Sequence, residues 1–346
     1  MNWTSIIERL QDGDELTPDE GYSLMSEMLA GEVNPSDISS FLLALKAKGE
    51  TSGEIAGMLR AVREASTCVA LDASIHERAI DIVGTGGDHS HSVNVSTMSS
   101  FVVAGAGVPV CKHGNRAASS KCGTADVLEV LGARIELTPR MVAKCVERTN
   151  FGFCFAPAFH PSFRHVGPIR RDLGVPTVFN LLGPLANPAQ VRHMLVGVGN
   201  PAFVERMALA LRDGGVRRAW VVHGHGGLDE LSLSGPNEVW QVQEHEVTKT
   251  VVDPLEFGIE RAGIDDLRGG DPAFNAEAVR RVMNGEEGPV RNVVVFNSAA
   301  ALVVAGAAPD IGEAVAMARV SIDSGAAQRA LIGFVETSND VALCDD

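Results

Sequence analysis

The sequence predicts an α/β protein. A small all-helical N-terminal domain precedes a larger domain with a mostly parallel central sheet flanked by helices. Three observations carry this. Residues 1 to about 66 hold only helical periodicity. From residue 79 onward, short apolar β-like runs alternate with helix-length segments, the pattern of a parallel sheet covered by helices. Finally, the chain is 45% hydrophobic but only 5% aromatic, a balance that suits closely packed helices on such a sheet. The expected division of the 346 residues is 1–70 and 71–346.

The helical part opens with a stripe of Ile6, Ile7 and Leu10. "TPDE" then predicts a helix start, with Thr17 as N-cap, Pro18 at the first helical position and Glu20 closing a capping box. Leu24, Met25, Met28 and Leu29 follow at helical spacing. "NPSD" at 34–37 and "TSGE" at 51–54 start two further helices. In the second part "AIDIV", from residue 79, reads as a strand, 96–106 as an apolar helix and "VPVCK" as a strand. A helix is expected at 124–131. Strands at 193–199 and 217–224 enclose another helix. Residues 238–252 read as an antiparallel excursion, and helices return from 275, ending in one long run over 311–334.

The net charge of −15 disfavours a protein that grips nucleic acid, because phosphate binding needs a broad basic face. A local basic cluster in such a chain would stand out as a site for a small anion. The cysteines, Cys68, Cys111, Cys122, Cys145, Cys154 and Cys344, form no C-x-x-C pair. Reduced thiols fit better than a disulfide framework or a zinc site. The acidic, amphipathic N-terminus lacks a basic segment followed by an apolar one, so no signal peptide is expected. No apolar run reaches the ~20 residues of a membrane span.

Four stretches carry chemistry. In "DIVGTGGDHSHSVNVST" (81–97) glycines follow a strand and precede a helix, where backbone N–H groups can face an anion. Asn94, Ser96 and Thr97 could cap that helix, bind phosphate or ligate a hard cation; a plain strand–helix turn is the competing reading. The spacing matches neither the dinucleotide nor the P-loop pattern. "KHGNRAASSKCGTADVLE" (112–129) gathers Lys112, His113, Asn115, Arg116, Ser119, Ser120 and Lys121, a polyanion cradle rather than a merely solvated basic loop. In "HPSFRHVGPIRRDLG" (160–174), Arg170 and Arg171 lie after a proline and before a capped helix. They suit a carboxylate or, equally, a surface salt bridge. In "HGHGGLDELSLSG" (223–235) the adjacent Asp229 and Glu230 can hold Mg²⁺ at the carboxyl edge of a strand. His223 and His225 lack further ligands for zinc. "FNLLGPLANP" (179–188) reads as structural. No Ser-His-Asp or Cys-His set appears.

Together, GTGGD…N-x-ST, KHGNR-x-x-SSK-x-G-x-ADVLE, FAP-x-x-HP…R-x-LG-x-x-T-x-FN-x-LGPL-x-NP and GLDE resemble the motifs of the anthranilate phosphoribosyltransferases, in order and over nearly the whole chain. The resemblance implies transfer of phosphoribose from 5-phosphoribosyl 1-pyrophosphate (PRPP) to the amino group of anthranilate, the second step of tryptophan biosynthesis from chorismate. It implies a fold like that of the pyrimidine nucleoside phosphorylases, two Mg²⁺ ions per subunit, a cytoplasmic location and a homodimer joined through the helical domain.

Carried over by position, the resemblance gives PRPP to Gly84, Gly87, Asp88, Ser92, Asn94, Val95, Ser96 and Thr97. From the second loop it adds Lys112, His113, Gly114, Asn115, Arg116, Ala117, Ala118, Ser119, Ser120 and Thr124. Anthranilate falls to Gly84, Asn115 and Arg170, and the metal to Ser96, Asp229 and Glu230. No general base is implied, since the arylamine is already nucleophilic; Lys112 and Mg²⁺ stabilise the departing pyrophosphate. Ser92 stands where Thr is frequent, His89 and His91 where small residues are, Cys122 for Ser, and Pro176 for Arg. A related nucleoside phosphorylase would need a phosphate-plus-base site, which Asn115 with Arg170 suits less well than a carboxylated acceptor. A non-catalytic nucleic-acid binder would need a basic surface and no acid pair.

Overall fold

The structure is a computed structural model that describes residues 1–117 and 121–343. Four helices come first: α1 (Trp3–Gln11), α2 (Pro18–Ala30), α3 (Pro35–Lys48) and α4 (Ser52–Glu64). Their starts follow the sequence signals. Thr17 and Thr51 each cap the third residue onward, and Glu20 and Glu54 return the bond to the cap. α2 packs on α4 and α1 on α3, burying Leu24, Met25, Met28, Phe41, Leu45, Ile55, Met58 and Leu59.

The larger part runs through α5 (Ala73–His76), β1 (Ile80–Gly84), α6 (Val95–Gly105), β2 (Val110–Gly114), α7 (Thr124–Val130), α8 (Pro139–Thr149) and β3 (Phe151–Phe155). It continues through α9 (Ala156–Phe159), α10 (Gly167–Leu173), α11 (Val178–Leu185), β4 (His193–Gly197), α12 (Val204–Asp213), β5 (Arg218–His223), β6 (Asn237–Gln243) and β7 (Glu246–Val252). The chain ends in α13 (Pro272–Met283), α14 (Pro289–Val304), α15 (Ile311–Asp323) and α16 (Ala326–Ser338).

Among the described residues the seven strands form one sheet in the order β3-β2-β1-β4-β5-β6-β7. The pairs from β3 to β5 are parallel and the last two antiparallel. The strand order reverses between β1 and β4, and there Gly84 stands opposite Gly197. In an open parallel sheet this switch point, at the carboxyl ends of the strands, is where a crevice opens.

Several expectations are refined. The run over 311–334 is two helices, broken where Gly325 takes φ +72°. The strand "FGFCF" of β3 and the helix α8 have no counterpart in the sequence reading. All five β3 residues are buried, so the strand carries no alternation to detect. Arg170 and Arg171 lie within the last turn of α10, not ahead of a helix. The helical module also docks on the second part, α4 against α12 and α11, and α3 against α10.

Candidate active site

Loops after β1, β2, β3 and β5 all leave the same carboxyl edge of the sheet. The first, 85–94, carries the glycines. Gly86 and Gly87 take φ +68° and +75°. His89 and His91 take φ 56° and 51°, in the left-handed region that non-glycine residues rarely adopt. The loop lies against the acid pair. Gly86 N–H donates to Asp229 Oδ2 at 2.7 Å, Ser96 N–H to Glu230 Oε1 at 3.2 Å, and Asp229 N–H to Asp88 Oδ2 at 3.4 Å. Neither facing glycine admits a side chain, since a Cβ on Gly84 would overlap Asp229 Oδ2 and one on Gly197 the Asp229 carbonyl.

Three carboxylates thus share the switch point. Burial first, then Glu230 and Asp88, push Asp229 well above the usual carboxylate range. Asp229 lies deep among protein atoms yet keeps part of its surface open. Burial likewise raises Glu230 to about 7, against the opposing pull of Lys112. Lys112 itself is only 1% exposed and donates its ammonium to the Ile82 carbonyl. Burial lowers its pKa, while Asp81, Glu230 and Asp229 hold the charge on. Asp81 is fixed in turn by Asn187 Nδ2 at 2.8 Å and by His113 N–H at 3.1 Å.

Among the described residues no three His, Cys, Asp or Glu are gathered closely enough to hold a metal ion alone. Buried carboxylates in mutual repulsion nevertheless fit a hard cation. Mg²⁺ suits such a pair because it takes one or two carboxylates and completes its shell with water and substrate oxygens.

The second loop differs from its sequence reading in one respect. Arg116 is held by Glu129 at 2.5 and 3.0 Å and by Asp126 at 3.0 Å, so its guanidinium is occupied within the protein. Ala117 and Gly123 N–H both donate to Asp126 Oδ2. Asn115 is exposed and caps the Arg116 amide at 2.7 Å. Gly114 lies close under Thr124 and Phe153, and Thr97 and Thr124 hydroxyls meet at 3.3 Å. Val95 is buried at the start of α6, Ser92 bridges Arg268 and exposed Gly87 is free of close neighbours. Ala118, Ser119 and Ser120 lie outside the described residues. Asn94 stands at the N-cap of α6, but its side chain makes no cap hydrogen bond.

Arg170 connects to this centre through rings. Its guanidinium stacks on Phe179 at 5.0 Å, Phe179 meets Phe163 at 5.4 Å, Phe163 meets His160 at 5.1 Å, and His160 meets His113 at 5.1 Å. Burial lowers the Arg170 pKa, and among the described residues no acid pairs with it. A desolvated guanidinium beside an aromatic wall can receive a carboxylate on a flat ring. Phe179 and Asn187, within the stretch read as structural, therefore both touch the site. Phe179 was visible only as an apolar residue, and Asn187 only as part of an Asn-Pro turn.

Comparison with known proteins gives the family. Residues 4–66 match the helical bundle domain, and 76–328 the a/b domain, of a glycosyl transferase family. An anthranilate phosphoribosyltransferase of Chloroflexus aurantiacus is 48% identical over 340 residues, covering 98% of this chain and 99% of its own. The crystal structure of the Thermus thermophilus enzyme is 42% identical with TM-score 0.90, covering 96% of this chain and 99% of its own. The Saccharomyces cerevisiae enzyme in complex with PRPP and Mg is 29% identical with TM-score 0.88, covering 97% of both chains. A further structure of the yeast enzyme holds 4-fluoroanthranilate. With two family domains matched in order and nearly half its residues shared with a full-length relative, this chain belongs to the anthranilate phosphoribosyltransferase family.

Proposed function

We propose that the chain transfers phosphoribose from PRPP to the amino group of anthranilate, releasing pyrophosphate. The observation that carries it is the seating of the glycine loop on the acid pair, with Gly86 on Asp229 and Ser96 on Glu230. This joins an anion-binding turn to a cation-binding pair at one switch point. Asp229, Glu230 and the Ser96 hydroxyl would hold Mg²⁺, two ions per subunit, which neutralises charge on the pyrophosphate. Glycine-loop amides that the fold leaves uncommitted, those of Gly87 and Asp88 among them, would bind the donor phosphates, as helix N-termini and glycine turns do.

Lys112 would place a positive charge behind the acid pair, retained by Asp81. Arg170 would take the anthranilate carboxylate, Asn115 would orient the acceptor, and Gly84 would leave room for its ring. Positioning supplies much of the rate, since the arylamine needs no base. A homodimer joined through the helical domain belongs to the same proposal. A cytoplasmic location is supported by the thiols of Cys68, Cys111, Cys145 and Cys154, which form no disulfide. No helix there is long and apolar enough to cross a membrane.

The test follows anthranilate fluorescence with PRPP and Mg²⁺. Loss of signal that needs both, with a raised anthranilate KM in Arg170→Ala and little change in the KM for PRPP, is the expected result. No loss under any condition would overturn the acceptor assignment.

A further inference from the structure

The two anion-binding loops are tied together by a residue outside every motif above. Asn275, on α13, is 1% exposed. Its Nδ2 donates to Asn94 Oδ1 at 2.9 Å, and its Oδ1 accepts from Gly270 N–H at 2.8 Å. Asn94 Nδ2 then donates to the Cys122 carbonyl at 3.2 Å, while the Cys122 thiol donates back to Asn94 Oδ1 at 3.5 Å. Asn94 ends the first loop and Cys122 lies in the second. One carboxamide thus bridges the loops, and Asn275 decides which way it points.

The surrounding backbone reinforces this placement. Val93 N–H donates to the Leu267 carbonyl at 2.9 Å and Gly269 N–H to the His91 carbonyl at 2.7 Å, so 91–93 and 267–269 run as a short antiparallel bridge. Gly269 has no room for a side chain, because a Cβ would press on Asn275 Oδ1 and the Ser92 carbonyl, both at 2.8 Å. A turned Asn94 would set its Nδ2 against the Asn275 Nδ2 and its Oδ1 against the Cys122 carbonyl. Both contacts repel, so the observed orientation is the one the network satisfies.

We propose that Asn275 is a positioning residue for donor binding, orienting the Asn94 carboxamide so that the loop of 85–94 keeps a fixed separation from Cys122 and Gly123 of the second loop. This rests on the reading of those loops as the PRPP site. Asn275 does not touch the reacting atoms; it acts through Asn94.

The experiment measures PRPP affinity by calorimetry with Mg²⁺, transfer kinetics, and the thermal midpoint, on the full chain. Asn275→Ala is expected to raise Kd and KM for PRPP about tenfold, the scale of one lost hydrogen bond to a buried acceptor. The anthranilate KM stays within about twofold, because only the donor loops shift. Asn275→Asp keeps the acceptor for Gly270 but has no donor for Asn94, and serves where the alanine variant folds poorly. The decisive comparison is Asn94→Ala against Asn94→Ala/Asn275→Ala. Equal PRPP affinities would show that Asn275 works through Asn94. Additive losses, or wild-type PRPP affinity in a folded Asn275→Ala or Asn275→Asp, would overturn the inference. A wild-type chain that binds PRPP in an Asn275-dependent way but transfers nothing to anthranilate would sink only the acceptor assignment; one that binds no PRPP would sink both.

Discussion

Asn297 grips Leu231 in both directions: the Leu231 N–H donates to Asn297 Oδ1 at 2.9 Å, and Asn297 Nδ2 donates back to the Leu231 carbonyl at 2.9 Å. Leu231 directly follows Glu230, so α14 sets the main chain of the acid pair. Asn237 secures the same loop from β6, accepting from the Ser232 and His225 amides. The carboxylates repel one another, and a loop free to relax would let them part. Asn297→Ala is therefore expected to cost about 2 kcal/mol of stability, from two main-chain groups left unpaired in the interior. It should also raise the Mg²⁺ concentration needed for half-maximal transfer. Chemical unfolding and a metal titration check both; a wild-type unfolding midpoint in the variant would refute the clamp.

Gly84→Ala probes the same pair from the opposite strand. Gly84 lies outside the left-handed region, so alanine suits its backbone, and the conflict is with Asp229, first its carboxylate and less severely its carbonyl. Displacing that group by a fraction of an ångström should lower Mg²⁺-dependent transfer about a hundredfold. The thermal midpoint should change little. Near-normal kcat with an unaltered metal requirement would mean that Asp229 is not held where this geometry puts it.

Arg63 joins the helical module to the sheet domain. From α4 it donates to the Gly214 carbonyl at 3.0 Å, beyond α12, and to the Leu185 carbonyl at 3.1 Å, at the end of α11. These are helix C-termini, where a cation is favoured. Burial lowers its pKa to about 10, and its buried Nε has no partner. Arg63→Ala should cost about 2 kcal/mol, because two carbonyls lose their donor. Arg60, one turn earlier, pairs with Asp19 at the surface; Arg60→Ala should stay within about 0.5 kcal/mol. Equal losses in the two variants would remove the case for a domain staple.

The frame of the site was legible because its signals are local. Strand-then-glycine turns, Thr17 and Thr51 with their capping glutamates, and the Asp229-Glu230 pair all announce themselves within a few residues. Asn187, Asn275 and Asn297 were not legible, because each acts across more than 60 residues of chain. Asn297 did leave a trace, as a polar side chain inside the apolar run "VVVFNSAAALVV". A buried amide in such a run must find partners, and the nearest loop supplies them. Arg116 misled for the reverse reason. Its acidic partners Asp126 and Glu129 were in plain view, but only the fold of α7 brings them back to the loop.

His113 and His160 make a prediction about acid. Burial lowers His113 to about 3, with the neighbouring His160 and Lys112 acting in the same direction. Burial lowers His160 to about 4, weakly opposed by the Ala186 main chain. Both imidazoles are therefore neutral in the folded protein at pH 7. The unfolded chain titrates them near 6.5. A base whose folded pKa is depressed contributes stability above the unfolded value and loses it as pH falls toward the folded one. Between about pH 6.5 and pH 4, unfolding should take up about one extra proton per histidine, or about 1.4 kcal/mol per pH unit each. His160 is the cleaner probe, because its ring nitrogens make no well-formed hydrogen bond, only a weak contact with the Ala186 main chain, and the ring stacks on Phe163. His160→Phe keeps the stack and removes the proton site. Relative to wild type, the variant should gain stability steadily as pH falls from 6.5 to 4, by up to about 3 kcal/mol. Unfolding at a series of pH values reads the difference directly. A gap that stays constant with pH would mean that His160 is already charged or reaches water, and the aromatic wall beside Arg170 would then be wetter than its packing implies.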